Sequence, residues 1–458
     1  MNTDTARRTK GALVPCSRSQ RLSDAFRRRV RATLISSRYD EGREERERFA
    51  ADRGVSRRVV VVGGGAAGLM AAIAAQEAGA TVTLAERTTD GGRKILISGG
   101  GRCNVLPSAP APGRFVSAAS PALVRTLLNA WPLAEQHAYF EDVLGLPLAL
   151  EAESGKVFPA SNRARDVRDA LVDRARAVDV TLRVSTTVTA VVPDGGAWRV
   201  ATERGDIAAD RVVVATGGLS VPTTGSTGFG FDVAIAAGHT VHPRFAALTP
   251  LTASPHPHAD LAGISLDVRL TAESARERAV STGGFLFTHR GYSGPAVLDV
   301  SHVAVRSLEA GGPRAKVRVA WTSIDAAAWT AAFLDARGTA FNFVARHLPQ
   351  RLAEMLFDAA GVTRERTCAQ LRRDERTRLV TVLTAFDLPW TGHEGYRPAE
   401  VTGGGVALDE LQRATLESRK APGLHFCGEV LDAFGPIGGH NFMWAWSTGR
   451  TAGSGAAA

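Results

Sequence analysis

Four consecutive valines, Val59 to Val62, run directly into Gly63-Gly64-Gly65-Ala66-Ala67-Gly68. No other feature restricts the fold of this chain so sharply. A continuous β-branched run suits a strand buried on both faces of a parallel sheet. The glycines then form G-x-G-x-x-G at Gly63, Gly65 and Gly68, and an alanine-rich stretch to about Ala78 reads as a helix. Ala80 to Ala85 reads as the next strand and ends at Glu86, 23 positions after Gly63. The glycine pattern alone is a weak signal. With a strand before it, a helix after it and an acid at this distance, it specifies a βαβ unit that binds a dinucleotide. The glycines allow a tight turn, so the backbone can approach a pyrophosphate at the helix N-terminus, with Ala66 and Ala67 in the first turn. Glu86 is placed for ribose hydroxyls.

Further elements extend the α/β pattern. Leu123 to Leu144 and Arg163 to Val178 read as helical, followed by strands at 181–192, 198–203 and 211–214. Residues 248–319 read as short β-segments separated by turns, and 324–388 as amphipathic, Arg-rich helices. A late strand, Leu424 to Cys427, leads into Gly428-Glu429, and a last helix is expected from about Asn441. The predicted architecture is a Rossmann-like dinucleotide-binding domain (57–243 and 398–458) split by an inserted β-barrel-like domain (244–323) and a small helical domain (324–397). Residues 1–56 read as a basic, disordered extension, and a translation start near Val55 is one expectation.

Charge has to be located before it is interpreted. The net charge is +9, but residues 1–58 carry 16 basic and 8 acidic side chains, leaving 39 and 38 in the remainder. The body is nearly neutral, which weighs against nucleic acid as a partner. No apolar run has the length of a membrane span. Cys16, Cys103, Cys368 and Cys427 contain no C-x-x-C pair, and their spacing suits neither a metal site nor a disulfide framework. A reducing, cytoplasmic compartment is expected, and no metal is.

The sequence shows one full glycine fingerprint, whereas a two-domain nicotinamide-reducing flavoprotein would show two. Three features select FAD for it. Val212 to Val214 runs into Ala215-Thr216-Gly217-Gly218; Gly428 and Glu429 follow the last strand, where they suit a ribityl chain; and Gly438-Gly439-His440-Asn441 opens the last helix, whose positive end suits the pyrimidine of a reduced flavin. NADH or NADPH would then bind transiently as electron donor.

Several motifs, "GGRKILISGGGRCN", "VFPAS", "ATGGLSVPTTGSTG", "LFTHRGYSGPAVLDVS", "VTGGGV", "GLHFCGEVLD" and "GGHNFMWAWSTGR", occur in one order from about Arg58 to Ala452. Together they resemble the HI0933-like flavoproteins, which include BaiN-type enzymes. The resemblance implies FAD, the split fold described above and oxidoreductase activity on a small-molecule substrate that it does not name. It also implies that Gly99, Gly100 and Gly101 run beside the flavin without side-chain clash. Arg102 and Asn104 would reach phosphate, ribityl or a loop carbonyl, and Lys94 and Ser98 the isoalloxazine edge. Lys94 is a candidate catalytic residue near the flavin, or else a phosphate or surface contact. Arg87, Arg93, Cys103, Val188, Thr227 and Phe442 are placed with the cofactor as well, with Cys103 read as a packing residue rather than a redox thiol. His289 and Tyr292 are candidate general acids if the insert covers the flavin; otherwise they belong to a turn. Lys156 and Arg163 flank "VFPAS" as anionic-substrate contacts or as solvated charges. An RNA-modifying flavoenzyme, an oxygen-using oxidase and a non-enzymatic flavin-binding protein are the rival readings.

Overall fold

The computed structural model describes residues 56–458. The basic extension, the start near Val55 and Cys16 therefore lie outside the described residues. The four valines form β1 (Arg58–Val62), which is followed by helix α1 (Ala66–Glu77) and β2 (Thr81–Ala85). Three later strands complete the sheet: β3 (Thr181–Arg183), β4 (Arg211–Val214) and β5 (Leu424–Phe426). All pair in parallel in the order β5-β4-β1-β2-β3. β1 is thus central, and its valines are buried on both faces. β5 comes from the far end of the chain, so the nucleotide-binding unit is closed by the segment that follows the insertion.

The last helix, α2 (His440–Ala457), packs directly on α1. Both helices are lined with small residues because their backbones nearly touch. A Cβ on Gly449 would lie 2.5 Å from the Ala67 carbonyl oxygen, and one on Gly453 2.1 Å from that of Ala71. Neither position has room for a side chain unless the helices separate. Gly453→Val is accordingly expected to lower unfolding stability by about 1–3 kcal/mol through overpacking, seen as a depressed melting temperature. An unchanged melting temperature would show that the helix pair is looser than these contacts require.

The insertion is built on a seven-stranded sheet. Its strands lie in the order 386–387, 316–320, 265–273, 278–287, 291–293, 251–252 and 392–393. Both edge strands come from the segment expected to be helical, because the chain returns to the sheet after helices Ala326–Asp335, Ala340–Val344, Gln350–Ala360 and Arg373–Thr384. A second departure is the helix Pro295–Glu309, which lies within the region read as β-segments. Its valines suggest strand, but Pro295 at the first helical position and buried Val297, Val300, Ala304 and Ser307 give it helical phase. This helix ties the insertion to the nucleotide-binding part. Asp299 accepts hydrogen bonds from Ile437 N (2.7 Å), Ser281 Oγ (2.9 Å) and Arg114 Nη2 (2.8 Å). Strand Val241–Ala247 pairs antiparallel with Val401–Val406, joining the points where the chain leaves and re-enters.

Candidate active site

The turn between β1 and α1 depends on close backbone approach. Gly63 has φ +102°, and a Cβ there would meet the Ala215 carbonyl oxygen at 2.6 Å. A Cβ on Gly68 would fall 1.8 Å from the Gly63 oxygen. Gly65 differs, with nothing within 4 Å of its Cβ position because it faces an open cavity. α1 begins there with neither a side-chain cap nor an acidic residue in its first turn. Its free N–H groups and positive end therefore face the cavity with Ala66 and Ala67. Glu86 closes one side and is buried. It accepts from Gly64 N at 2.7 Å, Thr88 N at 2.7 Å and Thr88 Oγ1 at 2.6 Å.

The cavity has a volume of about 820 Å3, within the usual range for a bound organic ligand. Beyond the turn it runs along the glycine tract. Gly99, Gly100 and Gly101 have φ values of +56°, +68° and +84°, a left-handed path that side chains rarely follow. Gly100 also has open space at its Cβ position. Asn104 fastens this tract to the far wall. Its amide donates to the Leu106 and Val157 carbonyls (3.1 and 3.2 Å) and accepts from Gly439 N (3.0 Å). Gly438, next to that anchor, is open at its Cβ position too.

FAD fits this site by the shape of its walls. The walls are glycines at the points where a Cβ would fill the cavity, namely at Gly65, Gly100 and Gly438.

Most residues singled out for the cofactor are brought together. Gly63, Gly65, Ala66, Ala67, Glu86, Arg87, Arg93, Lys94, Ser98, Gly99, Gly100, Arg102 and Asn104 line the cavity, as do Val188, Ala215, Thr216, Gly217, Thr227, Glu429, Gly438, Gly439, Asn441 and Phe442. Gly68, Gly101, Gly218, Gly428, Cys103 and His440 do not; all but the exposed Gly101 lie behind the lining. Cys103 is fully buried, and desolvation pushes its thiol up to about 12, which leaves no thiolate for redox chemistry. The His440 ring is buried against Phe115, and burial, aided by the Arg114 charge, lowers its pKa to about 4.

Neither proposed acid from the insertion reaches the cavity. Tyr292 is fully buried in the insertion's core, where its hydroxyl meets His258 Nδ1 at 3.0 Å. His289 sits exposed in the turn after strand 278–287. Both belong to the turn reading: Leu286 and Phe287 pair with Ser293 and Tyr292 in a tight hairpin, and neither His289 nor Tyr292 lines the cavity.

Lys94 does line the cavity, and its ammonium group is engaged. Nζ donates to Glu429 Oε2 and to Ser220 Oγ, each at 2.5 Å. Glu429 Oε1 also accepts from Ser220 Oγ (2.5 Å), Thr402 N (3.0 Å) and Thr402 Oγ1 (2.9 Å). Arg102 is similarly held. It stacks over Phe158 at 3.8 Å and bonds Glu151 Oε1 (2.8 Å) and Asn162 Oδ1 (2.9 Å). Of the two cations flanking "VFPAS", Lys156 lines the cavity, whereas Arg163 pairs with Asp166 outside it. Sequence reasoning missed Glu151, Phe158 and the segment Arg397 to Val401. Phe158 lies in "VFPAS" and Val401 opens "VTGGGV", but no motif marks Glu151 or Arg397 to Glu400, which arrive through tertiary pairing.

The family described as HI0933-like protein Rossmann domain matches residues 57–455. The chain is 35% identical over 384 residues to a ribosomal RNA dihydrouridine synthase of Escherichia coli, covering 80% of this chain and 90% of that protein. It is 32% identical over 386 residues to a 3-dehydro-bile acid delta(4,6)-reductase of Clostridium scindens, covering 82% and 93%. A flavocytochrome c3 fumarate reductase structure aligns at 18% identity and a TM-score of 0.46, covering 90% of this chain and 80% of that one. With its single nucleotide turn, its glycine-walled cavity and a family match spanning nearly all the described residues, the chain belongs to the HI0933-like family and is an FAD-dependent oxidoreductase.

Proposed function

We propose that the chain is an NAD(P)H-linked reductase that saturates an activated carbon–carbon double bond. The observation that carries this reading is a continuous cavity lined both by the nucleotide turn and by Arg397–Val401. A nicotinamide and a substrate would have to use this same opening in turn. Bound FAD would supply the two-electron chemistry there, passing hydride through N5. The names of the two curated relatives support the choice of bond. Making dihydrouridine and reducing a delta(4,6) bile acid are both hydrogenations of a double bond.

A small organic substrate fits a cavity of about 820 Å3 and a nearly neutral body. A uridine within RNA is the second reading. The relative at 35% identity favours it and removes support for excluding nucleic acid. Cys103, Cys368 and Cys427 are free and buried, which supports a reducing, cytoplasmic setting. Among the described residues no helix is long and apolar enough to cross a membrane.

The test is anaerobic titration of the yellow protein with NADH and with NADPH. Bleaching by one of them is expected, followed by reoxidation on adding 2-cyclohexenone or unmodified ribosomal RNA. The probe that works separates the two substrate classes. A flavin that neither nicotinamide reduces would sink the proposal and favour an oxidase or a partner-reduced flavin.

A further inference from the structure

The polar groups of the cavity wall divide into those occupied by the protein and those left free. Four carboxylates line it: Glu86, Glu151, Glu400 and Glu429. Glu86 is held by Gly64 and Thr88, Glu151 by Arg102 and Ser154, and Glu429 by Lys94, Ser220 and Thr402. Glu400 differs. Among the described residues its side chain makes no hydrogen bond or ion pair. Its backbone, in contrast, is fixed. Glu400 N donates to the Leu248 carbonyl at 3.2 Å, and Ser220 Oγ lies 3.4 Å from its own carbonyl oxygen. The residue stands at the start of the buried strand Val401–Val406, which holds Thr402 in the Lys94–Glu429 network. A rigid backbone thus presents an uncommitted carboxyl to a cavity whose other acids already have partners.

The surroundings suit an acid that keeps its proton. The Glu400 side chain is exposed to the cavity; desolvation by the surrounding walls raises its pKa, the charges of Lys156 and Lys94 pull it down, and Asp299 pushes it up. Arg397, on its own segment, also lines the cavity, and among the described residues it has no hydrogen-bond or ion-pair partner.

We propose that Glu400 is the catalytic acid of the substrate half-reaction, donating its proton to the carbon that does not receive hydride. This role rests on the double-bond reading above. As hydride arrives at the β-carbon of an unsaturated carbonyl, the π bond breaks and its electron pair shifts to the α-carbon. The Glu400 carboxyl gives up its proton there. Two C–H bonds replace one π bond, NAD(P)H supplies the two electrons by way of FAD, and water reprotonates the carboxylate through the cavity opening. Lys156 and Arg397 are free to hold the substrate's carbonyl oxygen or an attached anionic group.

The test compares wild-type holoenzyme with Glu400→Gln, an isosteric change that removes no bond to protein. Each is reduced anaerobically by NAD(P)H, then mixed with 2-cyclohexenone and with unmodified ribosomal RNA while reoxidation is followed. The expected loss, on the order of 100- to 10,000-fold for a removed general acid, falls on reoxidation and not on reduction. An infrared difference spectrum at neutral pH should also show one protonated carboxyl band in the wild type that Glu400→Gln lacks. If the wild type turns over and Glu400→Gln keeps pace, or if no such band is lost, the role of Glu400 is overturned. A wild type that no unsaturated probe reoxidises overturns the double-bond reading, and this role with it.

Discussion

Gly68→Ala is expected to give a colourless protein. The Cβ it adds would lie 1.8 Å from the Gly63 carbonyl oxygen, far inside the 3.0 Å below which real contacts are not found. Gly63 cannot yield, because its own Cβ position is closed by the Ala215 carbonyl at 2.6 Å and its N–H is bonded to the Ala85 oxygen at 2.9 Å. Either α1 moves off the sheet or the turn opens. Both misdirect the N–H groups that face the cavity at Gly65 and Ala66. Loss of even two charge-assisted hydrogen bonds, about 1.5–3 kcal/mol each, would weaken FAD by about 100-fold or more. Gly65→Ala is the informative companion, since its Cβ projects into open cavity rather than into protein. That variant should keep the wild-type melting temperature of the apoprotein while losing affinity for FAD. Flavin content after purification, FAD titration and circular dichroism separate the two cases. A Gly68→Ala protein that purifies with a full complement of flavin would refute this account of the turn.

These two glycines also show what the sequence made legible. Gly63, Gly65 and Gly68 are local: their spacing, the valines before them and the alanines after them encode the turn within a single short stretch. The glycine tract from Gly99 is local in the same sense, since three consecutive left-handed residues need glycine wherever the rest of the chain goes. Long-range pairing left no such mark. Glu400 reaches the cavity because Val401–Val406 pairs with Val241–Ala247 across the whole insertion. The short strand carrying Phe158 does so because it pairs with Leu106–Pro107, some 50 residues earlier in the chain. His289 and Tyr292 looked chemical because a histidine and a tyrosine sat beside turn glycines. Which side of a sheet such a loop ends on is decided by strand register, and this register buries Tyr292 against His258. The helix Pro295–Glu309 was hidden by its valines, whose strand preference is overridden by packing on the insertion's sheet.

Lys94 combines the two kinds of information. Its place beside the glycine tract was readable, but its partners come from residues 220 and 429. With two of its three protons committed to Ser220 and Glu429, it acts first as the cation that allows a half-buried carboxylate to knit four segments together. Lys94→Met should therefore destabilise the fold by about 2 kcal/mol, the usual size for a hydrogen bond to a charged group left unmade. The carboxylate it abandons is only 17% exposed, so solvent compensates poorly. Removing the charge as well as its partner should reverse much of the damage. Lys94→Met/Glu429→Gln is expected to be more stable than Lys94→Met alone, because the amide oxygen of the substituted side chain can still accept from Ser220 and Thr402 while no unpaired charge remains. A double-mutant cycle by denaturant unfolding, with saturating FAD and without it, measures the coupling directly. Strictly additive losses would mean that the pair does not hold the cavity wall, and would return Lys94 to the role of an independent group at the flavin edge.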